Sequence, residues 1–132
     1  MKISFVNGCF DVLHPGHIEL LKYARSLGDY LIVAIDSDRK VAEMKGPERP
    51  IFSQYDRSVM LKAIRHVDIV HVFDTKEELE DLLESISPDI MVVGSDWKEK
   101  EVVGSQYAKS VRFFDRLGDY STTQTVKGIA YR

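Results

Sequence analysis

The chain has one cysteine, Cys9, in 132 residues, so no disulfide can close within it. A single thiol fits a reducing compartment and excludes the cystine-stapled class of small secreted domain. No activating partner for Cys9 is evident in the sequence, and it reads as a small buried residue rather than a nucleophile. Long apolar runs are also missing: none approaches the ~20 residues that span a bilayer. The amino terminus passes straight into a strand pattern without the layout of a signal peptide, and the expected location is the cytoplasm. Nor is there an excess of positive charge. Eighteen Lys and Arg stand against 21 Asp and Glu, a net charge of -3, which argues against broad binding to nucleic acid or anionic membranes. A phosphate-binding site therefore has to be a local island of positive charge. Repeats, low-complexity tracts and linkers are absent too.

The composition that remains, 44% hydrophobic and 30% charged, suits a globular fold, and residues 1–132 are expected to form one domain. The apolar run Lys2 to Asn7 predicts a strand, with a turn at Gly8. Ile18, Leu20, Leu21, Ala24 and Leu27 recur at near-helical spacing and predict a helix from His17. Tyr30 to Ile35 is almost continuously apolar, the mark of a parallel strand covered on both faces. Lys40 to Pro50, with Gly46, Pro47 and Pro50, predicts a loop. Ser53 to Arg65 predicts a helix capped by Ser53, with Val59, Leu61, Ala63 and Ile64 as its apolar positions. Val67 to Phe73, Asp89 to Val93 and Val111 to Phe114 predict strands, Thr75 to Ser87 an amphipathic helix, and Thr122 to Ile129 a last helix. Alternation of this kind implies an α/β fold: a single Rossmann-like doubly wound parallel sheet with helices on both faces.

In such a sheet, ligands bind beyond the carboxyl ends of the strands. The run Asn7-Gly8-Cys9-Phe10-Asp11-Val12-Leu13-His14-Pro15-Gly16-His17 lies there, between the first strand and the first helix. Gly8 permits close backbone approach, and Pro15-Gly16 holds the second histidine beside a helix amino terminus, where free amides favour an anion. His14 and His17 can both point at one phosphate and donate hydrogen bonds that strengthen as charge builds in a transition state. A zinc site is the competing assignment, but His-x-x-His supplies only two ligands, and no metal ligands are assigned.

Gly8 to His17 resembles the G-x-F-D-x-x-H-x-G-H signature of the cytidylyltransferase-like nucleotidyltransferases, matching at all ten positions. The resemblance implies a Rossmann-like fold, a magnesium-bound nucleoside triphosphate, and in-line transfer without a covalent enzyme intermediate. It implies that His14 and His17 contact the phosphates and stabilise the transition state. It places the nucleotide against Gly8, Phe10, Asp11 and Gly16, with Asp11 ordering the turn.

A second cluster fits the same family. Ser121-Thr122-Thr123 resembles its serine/threonine-rich turn opening the final helix, where hydroxyls and amides hold phosphates. Arg116, five residues earlier, stands where cytidylyltransferases of the family carry a phosphate-contacting arginine, although the intervening Leu-Gly-Asp-Tyr departs from their pattern. Lys45 is assigned to catalysis and to the acceptor, as a mobile point charge beside Gly46; Arg49 in the same loop is an equally balanced case. Arg57 is expected against the nucleotide phosphates by resemblance. Gly94, Asp96 and Trp97 follow a strand and face the same crevice, where Trp97 is placed to stack on a base. Asp38, in Asp36-Ser37-Asp38 at the end of the second strand, is assigned to acceptor hydroxyls.

Two subgroups of the family compete. Asp36-Ser37-Asp38, Lys45-Gly46 through Arg49-Pro50, Pro88-Asp89 and Val102-Val103-Gly104-Ser105 resemble the adenylyltransferase domain of ADP-heptose synthase. Against it, Val93 stands where that subgroup carries lysine. Gly94-Ser95-Asp96-Trp97 and the spacing of Arg116 to Ser121 resemble glycerol-3-phosphate cytidylyltransferase. The expected partners are ATP or CTP with Mg2+ and a small phosphorylated acceptor, and the family adds a homodimer. A non-catalytic nucleotide-binding module is the alternative from another class. It predicts loss of a histidine or of the basic residues, and none is lost.

Overall fold

A computed structural model describes residues 1–94 and 102–115. Five parallel strands form one sheet: β1 (Ile3–Gly8), β2 (Tyr30–Asp36), β3 (Ile69–Phe73), β4 (Ile90–Gly94) and β5 (Ser110–Phe114). Their spatial order is β3-β2-β1-β4-β5, so the chain builds outward on one side of β1 and then crosses to the other. The register pairs Gly8 with Ile35, Asp36 with Phe73, and Gly94 with Phe114, which brings all five carboxyl ends to one rim. The direction of winding reverses between β1 and β4, and the turn after β1 opens at that switch point.

Four helices accompany the sheet: α1 (Pro15–Ser26), α2 (Asp38–Lys45), α3 (Gln54–Lys62) and α4 (Lys76–Ile86). Leu21 and Ala24 of α1 and Leu61 of α3 pack on one face against Val6, Val33, Ile35 and Val92. Leu79 and Leu83 of α4 cover the other face with Phe5, Ile32, Ala34 and Met91, joined by Val102, Val103 and Tyr107. β2 shows why its sequence is nearly all apolar, since every residue from Leu31 to Asp36 is buried. The doubly wound sheet expected from the alternation is the sheet observed.

Three expectations are corrected. Lys40 to Pro50 is not all loop, because Asp38 to Lys45 is helical. That helix hides in the sequence: it buries only Val41, and its apolar stripe is too narrow to register. Ser37 starts it by accepting the Lys40 amide. The helix predicted from His17 begins earlier, at Pro15, because His14 is its N-cap and proline's fixed φ suits the first helical position. In α3 the capping role of Ser53 is observed, but Val59 is half exposed and Arg57 is buried. The predicted helix from Thr122 to Ile129 lies outside the described residues.

Candidate functional site

The turn from Cys9 to His14 is bent into a shape that ordinary residues resist. Phe10 and Val12 both sit in the left-handed region, at φ of 50° and 54°. For a β-branched residue such as Val12 this is an outlier, and strain of this kind persists only where surroundings over-determine it. Here the surroundings can be named. Phe10 is buried, and its ring packs so closely over Gly8 that a Cβ there would lie 3.2 Å from it. Gly8 thus makes room for the turn's own aromatic ring.

Asp11 is fully buried and anchors the turn to the α2–α3 connection. Its Oδ2 accepts the Ile51 amide at 2.7 Å and Arg49 Nε at 3.0 Å, and its Oδ1 accepts the Phe52 amide at 2.9 Å. Burial alone would raise the Asp11 pKa. The amides of Phe52 and Ile51 and the Arg49 guanidinium outweigh it and hold the carboxyl below its usual value.

The two histidines build the amino terminus of α1. His14 Nδ1 accepts the Gly16 amide at 3.1 Å, and His17 Nδ1 accepts the His14 amide at 3.2 Å, a reciprocal cap. The rings stack with centroids 3.7 Å apart and planes 18° from parallel. Phe10 lies against His17 at 5.3 Å between centroids. A nitrogen that accepts a backbone N–H carries no proton of its own, so both rings bear theirs on Nε2. Each imidazole is therefore a donor through Nε2, side by side at a helix amino terminus that itself favours negative charge.

Arg57 is fully buried, and its charge is spent on the protein. Nη1 donates to the carbonyls of Cys9 and Asp36 at 2.9 and 2.8 Å, Nε to that of Phe52 at 3.0 Å, and Nη2 to Asp38 Oδ1 at 2.9 Å. It clamps the ends of β1 and β2 to α3 rather than reaching into the crevice, so its geometry is that of a positioning residue. Asp38 also exchanges hydrogen bonds with Gln54, accepting its amide at 2.7 Å and donating its own to Oε1 at 2.9 Å. Its side chain stays 43% exposed, on the rim.

Lys45 ends α2 at the surface, and its charge reaches the Cys9 thiol. That thiol donates to Asp36 Oδ2 at 3.2 Å, and burial together with the Asp36 carboxylate pushes its pKa up to about 12. Cys9 is thus a protonated thiol at neutral pH and no nucleophile. Asp36 takes Lys40 Nζ at 3.0 Å on its other oxygen. Lys40 carries no motif in the sequence, and Arg49, evenly balanced there, stands out only as a cation beside Pro50 in a stretch shared with the ADP-heptose synthase domain.

The structure thus gathers Gly8, Phe10, Asp11, His14, Gly16, His17, Asp38, Lys45 and Arg57 around the ends of β1 and β2. Gly94 closes β4 on the same rim. Asp96, Trp97, Arg116, Ser121, Thr122 and Thr123 lie outside the described residues. Among the described residues no three His, Cys, Asp or Glu side chains form a metal-binding group. No helix among them is long and apolar enough to cross a membrane.

Known proteins resemble this chain in sequence and in fold. The bifunctional protein HldE of Campylobacter concisus is 48% identical over 97% of this chain, and that of Nitratiruptor is 47% identical over 96%. This chain spans only 27% of the length of each. The crystal structure of a lipopolysaccharide core biosynthesis protein from Thermoplasma volcanium superposes with a TM-score of 0.68 at 26% identity, covering 92% of this chain and 99% of that one. Pantothenate synthetase from Thermus thermophilus shares the fold, with a TM-score of 0.60 at 15% identity over 96% of this chain and 64% of its own. The family model described as Cytidylyltransferase-like matches residues 5–123, from β1 past the last described strand, and the chain belongs to that family.

Proposed function

We propose that the chain transfers a nucleoside monophosphate from a nucleoside triphosphate to a phosphorylated sugar, with ATP and heptose 1-phosphate as the favoured pair. The observation that carries this reading is the stacked histidine pair at a helix amino terminus, with both Nδ1 atoms engaged by backbone amides and the proton of each ring therefore on Nε2. Such a pair suits an oxyanion whose charge grows during reaction.

In the reaction, an oxygen of the acceptor phosphate attacks the α-phosphorus. A new P–O bond forms to the acceptor, and the bond to the bridging oxygen breaks in line. Pyrophosphate leaves with that electron pair. His14 and His17 hydrogen-bond the phosphoryl oxygens, Lys45 supplies a mobile positive charge, and Asp38 orients acceptor hydroxyls from the rim. Asp11 and Arg57 hold these groups in register. Positioning and electrostatics provide the acceleration, since Cys9 offers no thiolate. Mg2+ enters as the metal–nucleotide substrate, held chiefly by the triphosphate. Gly94, Asp96, Trp97, Arg116 and Ser121 to Thr123 complete the nucleotide side. The enzyme works in the cytoplasm, as a homodimer.

The resemblance of Asp36-Ser37-Asp38, Lys45-Gly46 through Arg49-Pro50 and Val102 to Ser105 to the adenylyltransferase domain of ADP-heptose synthase supports ATP and the heptose acceptor, and the likeness to a lipopolysaccharide core biosynthesis protein is in keeping with a sugar acceptor. The sequence Gly94-Ser95-Asp96-Trp97 supports the alternative of CTP with glycerol 3-phosphate. The deciding experiment is pyrophosphate release from ATP and from CTP, each crossed with heptose 1-phosphate and glycerol 3-phosphate. Turnover confined to ATP with heptose 1-phosphate is expected. Turnover only with CTP and glycerol 3-phosphate selects the second reading, and release from no pairing removes both acceptors.

A further inference from the structure

One cation of the α2–α3 connection has no task in the reaction as described. Arg49 has a side chain only 9% exposed and lies over the buried Asp11, with Nε 3.0 Å from Oδ2. The contact is single. Oδ2 also takes the Ile51 amide, and Oδ1 is turned to the Phe52 amide, so no second oxygen is offered to the guanidinium. Arginine facing a carboxylate often makes two parallel bonds. Here Nη2 is buried and has no hydrogen-bond partner among the described residues. A strap for Asp11 needs Nε alone.

A buried donor on a charged group is costly to leave without an acceptor, and a native protein that keeps one calls for a reason. The surrounding chemistry indicates which acceptor would complete it. Asp11, the group that holds Arg49, lies three residues before His14 on the turn whose imidazoles present two Nε2–H donors. Lys45, four residues before Arg49, places its charge on Cys9 of that same turn. Arg49 therefore stands in a local island of cations and N–H donors, with half of its guanidinium fork uncommitted. An acceptor with several oxygens and negative charge fits it, and water meets only the hydrogen-bond requirement.

We propose that Arg49 is a substrate-binding residue whose Nη2 takes an oxygen of a phosphate group, on the nucleotide or on the acceptor; this rests on the nucleotidyltransferase reading. Nη2 has almost no surface open to water, so the oxygen reaches it through a small shift of the connection. Gly46 allows such a shift: its φ is 110°, among the described residues no atom beyond its chain neighbours lies within 4 Å of where its Cβ would be, and Pro47 and Glu48 beyond it are exposed.

The test compares Arg49→Lys and Arg49→Gln with the wild-type chain by KM for nucleotide and acceptor, kcat, and Tm. Lysine keeps a charge for Asp11 but offers a point charge in place of the fork. KM for one substrate rises about tenfold or more in both variants while kcat changes less, the scale of one lost charge-assisted hydrogen bond. The KM that moves identifies the source of the phosphate. Variants with lower Tm and both KM values unchanged make Arg49 a strap only and overturn the proposal. A second measurement needs no variant: the Arg49 guanidinium NMR signal of the wild-type chain, titrated with pyrophosphate and separately with each acceptor. Movement with one of them is expected, and stillness with all overturns the contact. A chain that turns over no pairing yet shows that movement loses the reaction and keeps the contact. Turnover with a motionless Arg49 signal does the reverse.

Discussion

The chain leaves β1 and β3 through turns at the same rim, and each turn holds an aspartate against an arginine. After β1, Asp11 is fully buried and takes two backbone amides and Arg49 Nε, with Arg57 buried beside it. After β3, Asp74 is 42% exposed and takes Ser37 Oγ at 2.6 Å and Arg39 Nε at 2.8 Å. Arg39, itself half exposed, also reaches Glu43 in the same helix. The pairs look alike as a list of contacts and differ in what surrounds them. Water can replace any partner of Asp74, whereas nothing replaces a partner of Asp11, so burial decides which pair specifies structure.

The largest effect expected from breaking this contrast is at Asp11. Asp11→Asn sets an amide NH2 against either a backbone N–H or the Arg49 guanidinium, and it should lower stability by about 3 kcal/mol or more in urea unfolding. Its pH dependence has a definite sign. The Asp11 carboxyl is held below 3.8 in the fold, so its contribution is complete above that value and is lost as pH falls through the lower folded pKa. The acid limb of the stability profile should flatten in Asp11→Asn. An unchanged acid limb would assign it to other carboxylates.

Next comes His14, where chemistry and capping can be separated. Asparagine is a good N-cap but cannot reproduce an Nε2–H at the same place. His14→Asn should keep Tm near wild type and lower kcat by about 10²-fold or more, the scale of losing one transition-state donor. Full activity in this variant would remove the histidine from the reaction.

A smaller and qualitative difference concerns Cys9. With its pKa near 12 and its hydrogen bond to Asp36, the thiol should resist iodoacetamide at pH 8 in the folded chain and react readily once the chain is unfolded in urea. Equal rates in both states would contradict the burial of the turn. The smallest effect should come from Asp74→Asn, with no measurable change in urea midpoint or kcat; a large loss there would erase the distinction between the two turns.

The sequence made the sheet legible because each strand is a short apolar run bounded by turn residues, and β2 is apolar almost throughout. It made the first turn legible because Gly8, Pro15, Gly16 and the histidines sit at spacings that a helix start requires. α2 was not legible: a helix that buries one valine carries no period. The inward direction of Arg57 was equally hidden, since a charged residue is expected outside unless its partners are known. Besides the Asp38 carboxylate, those partners are backbone carbonyls of Cys9, Asp36 and Phe52, which no side-chain pattern encodes. The role of Arg49 was hidden for a similar reason: among the described residues its one side-chain bond is to a carboxylate 38 residues away.

The reciprocal histidine cap has a consequence for anyone wishing to transplant this turn. His14 and His17 are set by the first turn of their own helix, so the pair travels with a segment no longer than Gly8 to Ile18. The left-handed Phe10 and Val12 do not travel so easily, because the loop that carries them is moored through Asp11 to the amides of Ile51 and Phe52. A graft onto another α/β scaffold that omits residues 49–52 would carry the donors without their mooring, and the imidazoles would be present but unaimed.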